Sequence, residues 1–364
     1  MDMYLFHYDE YELLYNCSFY NISMIPLEQR QHVGMGALFI ALYFIFEILY
    51  IPCIIAIKKH TDSPCYKIMF YIGINDMICM CFNGFLTGYF AIMGSVFCSY
   101  PTFIYVCGNT ALALWASETV AEVTLALNRC IAICSPKWEY ILFKGYKTWL
   151  WMALPTIYAA YWWTFTKPIL FSGIYMSWFF NPHVGYFDDF GLIYDNEVHI
   201  NHNYFVIVGL TLTYSAFAVM LFVKSKKVAA GGQANQAQHN YSQKMIFLQV
   251  VMISMINAVA AAVYVYMQFF RINQLIIYLG QIAWLLAHGI PPVIYLAMNK
   301  TLRRDTAKML IHALQKAGPT VSSHHQSGHH GHHNAQHVTT ITSNKQSTPT
   351  QPWSNNSTIG AGVH

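Results

Sequence analysis

The sequence predicts an all-α membrane protein in which seven transmembrane helices form one bundle. Hydrophobic residues make up 55% of the chain and charged residues only 10%, whereas soluble domains carry about 25% charged residues. The mean hydropathy is +0.35. The apolar residues collect in seven runs, each long enough to cross a bilayer as a helix. Because these runs are continuous rather than alternating, they favour helices over transmembrane strands.

The seven runs divide the chain into four regions. They lie at 34–57, 68–93, 103–133, 148–170, 204–223, 245–269 and 274–298. A transmembrane domain at 34–298 therefore follows an N-terminal segment at 1–33. The stretch 299–317 places apolar residues against basic ones and predicts a short amphipathic helix on the inner leaflet. The Ser/Thr/His-rich tail at 318–364 is expected to be disordered.

Two smaller features of composition complete this outline. The segment 224–244 is rich in Gly, Ala and Gln and is expected to be a flexible loop. Seven histidines lie between 324 and 337, but they are unevenly spaced in a polar tail, which indicates low-complexity sequence rather than a metal site. No metal centre is therefore predicted from the histidines.

The distribution of basic residues predicts the orientation. With the N-terminus outside, only Arg30, Lys167 and Arg271 of the 20 Lys and Arg residues face outwards. The cytoplasmic side of a membrane protein carries the excess of Lys and Arg. We therefore expect an extracellular N-terminus, a cytoplasmic C-terminus and a multi-pass location in the plasma membrane.

The N-terminal segment carries features typical of an extracellular location. Asn16 and Asn21 each begin an Asn-X-Ser sequon and are candidate glycosylation sites. Cys17 and Cys98 both fall on the predicted outer side, where disulfides form, and the outer loop at 171–203 contains no cysteine. We predict a Cys17–Cys98 bond, which would hold the N-terminus across the mouth of the bundle.

Ionisable residues at membrane depth are candidates for function, because burying a charge in lipid is costly. Counting residues from the inner helix ends at a rise of ~1.5 Å places four of them near the midplane. These are Glu47, Asp76, Glu118 and His288. We expect Asp76, Glu118 and His288 to form a polar cluster that Glu47 extends. Three acids cannot all stay ionised in a dry cavity, so a proton, His288 or a bound cation must compensate; a packing network is the alternative.

The end of the third run identifies a more specific relationship. Residues 128–136 read Asn-Arg-Cys-Ile-Ala-Ile-Cys-Ser-Pro, and 292–295 read Pro-Val-Ile-Tyr. With Asp76 in the second helix, these residues resemble rhodopsin-like G-protein-coupled receptors. Together with Tyr15-Asn16-Cys17 and Tyr50-Ile51-Pro52, the set is similar to the nematode serpentine chemoreceptors, most closely class T.

This resemblance implies a chemosensory receptor that takes part in signal transduction and olfaction and is located at a sensory cilium. By resemblance, Arg129, Asn128, Pro136 and Tyr295 would serve coupling to a heterotrimeric G protein. The acid that matches Asp76 helps to hold a sodium ion in rhodopsin-like receptors, so a sodium ion at the midplane cluster is a candidate bound species. No other cofactor and no nucleic-acid partner is implied.

The chain also departs from the rhodopsin-like pattern. Asn128 replaces the acid that normally pairs with the arginine, so the inactive-state lock is expected to be weak. The sixth run, 245–269, contains neither proline nor tryptophan, and Pro291 occupies the place of the usual asparagine in helix seven. The residues that usually kink and switch helix six are therefore missing.

The ligand pocket is expected in the outer half of the bundle. Tyr278 and Gln281 share one face of helix seven with His288. The other candidate pocket residues come from helices three, five and six and are Asn109, Trp115, Thr211 and Tyr264. Since helix seven has no lysine, a retinal Schiff base is excluded.

Three other function classes compete with the receptor. A seven-helix ligand-gated ion channel would need the N-terminus inside, against the charge bias. A proton-coupled transporter could use the midplane acids, although no inverted repeat supports it. An enzyme is the least favoured, since the sequence has no metal-ligand spacing, nucleophile elbow or glycine-rich phosphate loop.

Overall fold

The computed structural model of the protein describes residues 1–18, 20–189, 193–229, 234–269 and 273–317. Within them, five helical segments are long and apolar enough to cross a membrane, and a bent helix pair makes a sixth. The remaining helix of the bundle, Lys147–Phe165, has 19 residues and is rich in Trp and Tyr. It packs against other helices of the same bundle. These helices give the predicted all-α architecture, whereas the predicted tail at 318–364 lies outside the described residues.

The elements follow the predicted order. Three short helices, α1 (Asp2–Phe6), α2 (Tyr8–Leu14) and α3 (Leu27–Arg30), precede the bundle. The bundle consists of α4 (Val33–Lys58), α5 (Pro64–Met80) continued by a π-helix (Cys81–Leu86) and α6 (Thr87–Met93), α7 (Pro101–Cys134), α9 (Lys147–Phe165), α10 (Glu197–Ala229), α11 (Ala234–Phe269), and α12 (Gln274–Gly289) with α13 (Pro291–Met298). Helix α8 (Pro136–Phe143) links α7 to α9, and α14 (Lys300–Ala317) is the short helix expected after helix seven.

The expectation of a flexible loop at 224–244 was wrong for most of that segment. Helix α10 begins at Glu197, well before the apolar run, and continues to Ala229, while α11 starts at Ala234. The Ala, Gln and Lys residues there are strong helix formers. Helical hydrogen bonding therefore extends beyond the apolar part of both helices.

Small residues allow the first two membrane helices to approach closely. A Cβ atom added at Gly36 of α4 would lie 2.6 Å from the carbonyl oxygen of Gly88 in α6, and one added at Gly88 would lie 2.6 Å from the carbonyl oxygen of Gly36. Such contacts are typical of membrane helices, where small residues let backbones meet. The π-helix in the same segment was not predicted, and it brings Asn83 beside α12.

Helix seven is bent rather than straight. The axes of α12 and α13 meet at 49°, across a break at Ile290. Pro291 and Pro292 cause the break, because proline lacks an amide hydrogen and its ring crowds the preceding turn. The bend separates α12, which contributes to the cavity described below, from α13, which forms the C-terminal part of helix seven.

One end of the bundle is covered by a β-hairpin and the N-terminal segment. Strands β1 (Leu170–Ser172) and β2 (Ser177–Phe179) pair in antiparallel register, with Phe171 opposite Trp178. The hairpin is anchored to the segment after α6, because the Gly173 amide donates to the Ser95 carbonyl at 2.7 Å. This end, which also carries the Cys17–Cys98 disulfide, is called the disulfide end. The opposite end, where Arg129 lies near the end of α7, is called the arginine end.

The N-terminal helices are fixed to the disulfide end by aromatic packing. Tyr11 and Tyr15 both contact Tyr105 near the start of α7, with ring centroids 5.0 Å and 5.1 Å apart. The disulfide joins Cys17 to Cys98, whose Cα atoms are 5.6 Å apart. Burial lowers the pKa of His183, which hydrogen-bonds the Asn16 carbonyl at 3.2 Å. The N-terminal segment is thus a packed cover over the disulfide end, where the predicted Cys17–Cys98 bond is present.

Candidate functional site

A cavity lies beneath the hairpin, among the helices of the disulfide end. The cavity volume is about 110 Å³, within an open space of about 690 Å³ that includes solvent at its mouth. The walls are largely aromatic and aliphatic, and they come from α7, α10, α11, α12 and the hairpin region. The lining residues are Leu112, Trp115, Ile169, Trp178, Phe179, Phe180, His199, Asn203, Tyr264, Met267 and Trp284.

A chain of hydrogen bonds fixes the polar part of the wall between α7 and α10. The Trp115 indole donates to Asn203 Oδ1 at 3.4 Å, and the Asn203 amide lies 3.2 Å from His199 Nε2. One turn away, His202 Nε2 lies 2.9 Å from the Thr119 hydroxyl. Because these polar groups already have partners, they hold the wall in one shape and leave few positions for a ligand hydrogen bond.

A second network ties the hairpin to α11 and α12. The Ser177 hydroxyl donates to Gln281 Oε1 at 3.1 Å, and the Tyr264 hydroxyl approaches the same oxygen at 3.4 Å. The Gln281 amide donates to the Asn83 carbonyl at 3.4 Å. Gln281 therefore connects the hairpin, α11 and the π-helix beside the cavity rather than inside it.

Of the six residues predicted from the sequence to form the pocket, Trp115 and Tyr264 line the cavity. The prediction for Thr211 was wrong, because this residue is exposed on the outer face of α10. The buried face of that helix runs through Asn203, Val206 and Leu210, and Thr211 lies about 100° further around.

The remaining two predicted pocket residues lie elsewhere. The Tyr278 hydroxyl forms a hydrogen bond of 2.9 Å with His32 Nδ1, which joins α12 to the start of α4. Asn109 is buried, and among the described residues its amide has no hydrogen-bond partner within normal geometry. Neither residue lines the cavity. Helical spacing identified the inward faces of these helices but did not give the height at which a cavity opens.

The aromatic wall residues that sequence reasoning missed differ in how clearly the sequence signals them. Trp284 lies three residues after Gln281 and four before His288, so the helix-seven pattern could have included it. The hairpin residues Trp178, Phe179 and Phe180 gave no comparable signal, because a short apolar run in a loop does not reveal where it folds back. Their contribution depends on the tertiary structure.

The predicted midplane cluster is assembled by four helices. Asp76, Glu118 and His288 are all fully buried. His288 Nδ1 lies 3.0 Å from Asp76 Oδ1 and 3.0 Å from Glu118 Oε2. The Tyr50 hydroxyl from α4 donates to Asp76. The three residues expected to meet at the midplane are therefore in direct contact.

Two further acids, from α4 and α7, lie differently: the first is half-buried and the second is buried. Glu47 is outside this group, because Tyr50, one turn along α4, takes the position that faces Asp76. Its expected place in the cluster was therefore wrong. Glu122 is buried one turn beyond Glu118 and lies near Asn257 of α11, without a hydrogen bond of normal geometry among the described residues. Asn257 itself donates to Glu118 Oε1 at 3.4 Å.

The side chain of Trp284 connects the cavity to this cluster. Its ring lines the cavity, and its indole nitrogen lies 3.1 Å from His288 Nε2. The Trp115 ring, another part of the wall, meets the His288 ring edge-on with centroids 6.0 Å apart. One histidine thus contacts two cavity tryptophans and two acids.

The donor set of the cluster can be tested against a bound cation. Carboxylate oxygens of Asp76 and Glu118 are suitable ligands for a hard cation such as sodium, and the three candidate ligand atoms lie within 4.8 Å of one another. However, an indole nitrogen can only donate, so His288 Nε2 must accept. In a neutral imidazole Nδ1 then carries the proton, and it cannot also bind a cation.

At the arginine end, Arg129 is nearly buried and is held on two sides. Its Nε donates to Asn128 Oδ1 at 3.0 Å, and its Nη2 lies 3.4 Å from Glu139 Oε1. Glu139 belongs to α8, the helix that Pro136 begins. Asn128 replaces the usual acid, as the sequence indicated, but α8 supplies an acidic partner from another position.

Tyr295, the last residue predicted for coupling, is buried in α13 rather than exposed at the arginine end. Pro136, by contrast, is exposed at the first position of α8. The set of four thus separates into Arg129 with Asn128, a surface proline and a core tyrosine. At the disulfide end, Asn21 is exposed while Asn16 is half-buried.

Comparison with known proteins agrees with this architecture. Residues 1–318 match the family described as "Serpentine type 7TM GPCR chemoreceptor Srt". The chain is 25% identical over 302 residues to "Serpentine receptor class T-55" of Caenorhabditis elegans. That alignment covers 81% of this chain and 80% of the relative.

Proposed function

Because the chain belongs to the Srt family of serpentine 7TM chemoreceptors, we propose that it binds an external small molecule and activates a heterotrimeric G protein. The ligand site is the cavity at the disulfide end, and the coupling surface surrounds Arg129. The observation that carries this proposal is the cavity itself, which is walled by five separate elements. A ligand held there contacts helices that continue to the arginine end.

The chemistry of the cavity wall favours a neutral, mainly apolar ligand. Among the described lining residues there is no Lys, Arg, Asp or Glu, so a charged ligand would lose its hydration without a compensating partner. Trp115, Trp178 and Trp284 offer flat surfaces against which an aromatic ring or a short hydrocarbon packs. Since Asn203, His199 and Tyr264 already have hydrogen-bond partners in the wall, the ligand's contacts are mainly apolar.

An extracellular disulfide end is consistent with the chain's chemistry. The Cys17–Cys98 disulfide requires an oxidising compartment. The basic residues of α14 lie at the opposite end, where Arg303 and Arg304 suit an anionic inner leaflet. The same orientation turns Arg129 towards the cytoplasm, where a G protein could reach it.

The proposal is tested by comparing two tryptophan substitutions in cells that report G-protein activation. Leu112→Trp fills the cavity, whereas Leu154→Trp adds the same side chain at an exposed position of α9. A panel of small neutral odorants identifies an activating compound with the unaltered receptor. We expect Leu112→Trp to abolish that response and Leu154→Trp to keep it, at equal surface expression.

A coupling variant separates ligand binding from signalling. Arg129→Ala should retain ligand binding while losing G-protein activation. If the Leu112→Trp receptor responds like the unaltered one, the ligand does not occupy this cavity. If ligand-dependent ion current appears without any G protein, the ion-channel alternative replaces the receptor.

A further inference from the structure

We propose that the cavity at the disulfide end takes a molecule no larger than a benzene ring with a short substituent, and that Met267 sets this limit. The proposal rests on the proposed ligand cavity, and it adds the size of the ligand and the residue that selects for it. Gly280 determines the position of Met267 without contacting the ligand itself.

The volume of the cavity is the first restriction on the size of the ligand. It is about 110 Å³, whereas sites for drug-sized ligands measure about 300–1,000 Å³. An engineered apolar cavity of about 150 Å³ binds benzene. The cavity therefore has room for roughly six to eight non-hydrogen atoms, which is the size of benzene to ethylbenzene.

The tryptophan walls do not retreat to admit a larger molecule. The Trp115 indole donates to a side-chain oxygen of α10 at 3.4 Å, the Trp178 indole to a hydroxyl of α6 at 2.8 Å, and the Trp284 indole to a ring nitrogen of α12 at 3.1 Å. Rotating one of these rings would leave a buried N–H group without its partner, which is costly. These parts of the wall therefore keep their positions when a ligand binds.

The aliphatic part of the wall is less uniform. Leu112 and Ile169 are buried, whereas Met267 is half-buried near the end of α11. Methionine is unbranched and adapts its shape through three rotatable bonds. Among the described wall residues Met267 therefore adjusts most easily, and its thioether determines how much space a ligand has.

The thioether of Met267 rests on the backbone of α12 at Gly280. A Cβ atom added at Gly280 would lie 3.0 Å from Met267 Sδ and 3.2 Å from a methyl carbon of Val263. Gly280 is buried, and it is not one of the residues that line the cavity. The glycine thus leaves the space that the sulfur occupies, behind the wall rather than in it.

This contact makes the volume of the cavity depend on a residue that no ligand touches. Non-bonded carbon atoms normally stay about 3.5–4.0 Å apart, so a methyl group at Gly280 requires the sulfur to move off α12. Met267 lies between that methyl group and the cavity, and its thioether therefore moves into the space for the ligand. Gly280→Ala should make the cavity smaller, while Met267→Ala should make it larger.

The test uses purified full-length receptor in lipid nanodiscs and measures binding without any signalling. The probes are benzene, toluene, ethylbenzene, n-propylbenzene, n-butylbenzene and n-pentylbenzene at equal free concentration. A ligand that binds only the folded protein raises its melting temperature. The Leu112→Trp receptor, whose cavity is filled, gives the effect of each probe on the membrane, and this effect is subtracted.

The unaltered receptor should be stabilised by the probes up to ethylbenzene and not by n-butylbenzene or n-pentylbenzene. Met267→Ala removes the Cγ, Sδ and Cε atoms, so n-butylbenzene should bind roughly tenfold more tightly or better. Gly280→Ala should lower the limit to benzene or toluene. The Gly280→Ala, Met267→Ala double variant should behave like Met267→Ala, because no thioether remains to be displaced.

Met255→Ala is the matched control, since Met255 belongs to the same helix and is 61% exposed. It should leave the size limit unchanged. Met267→Val, which shortens the side chain less, should raise the limit by a smaller step and serves if Met267→Ala does not fold.

The proposal is overturned if n-pentylbenzene stabilises the unaltered receptor as well as benzene does, or if neither Met267 variant changes the limit. A double variant that keeps the limit of Gly280→Ala would show that Gly280 does not act through Met267. Probe binding that survives Leu112→Trp would overturn the ligand cavity as well. If the limit moves with Met267 but no probe activates a G protein, the proposed coupling is wrong and the size limit stands.

Discussion

Glu139 is the acidic partner of Arg129, although ten residues separate them in the chain. Nη2 of the arginine lies 3.4 Å from Oε1 of Glu139, and the side chains are 8% and 23% exposed. Pro136 starts α8 immediately after α7 ends, and this turn brings Glu139 back to the arginine. An acid from the following helix therefore substitutes for the one that Asn128 replaced.

This pairing predicts that Glu139→Gln raises signalling in the absence of ligand. The substitution keeps the shape of the side chain but removes its charge, so Arg129 is released more easily. Partly buried pairs of this kind are worth about 1 kcal/mol, which corresponds to a roughly fivefold increase. Basal G-protein activation at matched surface expression provides the measurement.

Lys137→Gln is the matched control for this change, since Lys137 is an exposed residue of the same helix. It should leave basal activation unaltered. Equal basal activities for Glu139→Gln and the unaltered receptor would show that this ion pair does not hold the inactive state.

We predict that removing the charges of the midplane cluster lowers signalling more than it lowers the stability of the fold. Asp76→Asn with Glu118→Gln keeps the volume of both side chains and some hydrogen bonding to Tyr50 and His288. Each charged hydrogen bond contributes about 1.5–3 kcal/mol, so activation should fall by roughly tenfold or more. Dose–response curves should be compared at equal surface expression, and a double variant that signals normally would reduce the cluster to a packing network.

The hairpin is the basis of a stability prediction. A Cβ atom at Gly108 of α7 would lie 1.6 Å from the carbonyl oxygen of Ile169, which is backbone and cannot simply rotate away. Gly108→Ala should therefore displace the chain entering β1 and lower stability by about 1–3 kcal/mol. Thermal unfolding of the purified receptor measures this loss.

Gly34→Ala tests the same chemical change where there is room. No atom lies within 4 Å of a Cβ added at Gly34, and alanine favours the helix there by ~1 kcal/mol. This variant should be as stable as the unaltered receptor or more so. If both alanine variants unfold alike, the close approach of the hairpin to α7 does not exist.

The exposure of the two sequons predicts that Asn21 carries the main N-linked glycan. Asn21 is exposed, whereas Asn16 is half-buried and precedes a disulfide-bonded cysteine. Asn21→Gln should remove most of the glycosidase-sensitive shift on a gel, and Asn16→Gln little of it. A shift that depends on Asn299 instead would place the N-terminus inside and invert the proposed orientation.

The positions of the membrane helices followed from the sequence because apolar length is a local property. The run at 274–298 predicted helix seven to the residue, while the run at 204–223 gave only the apolar part of α10. Helical propensity extended that helix beyond the lipid-facing residues. Local patterns thus located the helices better than they located their ends.

The sites were predicted unevenly for the same reason. Asp76, Glu118 and His288 were expected together because depth follows directly from residue number, and the structure places them in contact. Thr211 and Glu47 were misplaced because the rotation of a helix within the bundle depends on its neighbours. Glu139 was missed because its contact with Arg129 requires a turn between two helices.

By itself, the sequence determined that this protein is a seven-helix membrane bundle with acids and a histidine at its centre. The requirement to bury apolar residues in lipid and to satisfy backbone hydrogen bonds within helices leaves few alternatives. Only the tertiary structure decided that Trp284 lies between the cavity and His288, and that the hairpin closes the cavity. Such contacts join residues distant in the chain, and their formation depends on how whole helices pack.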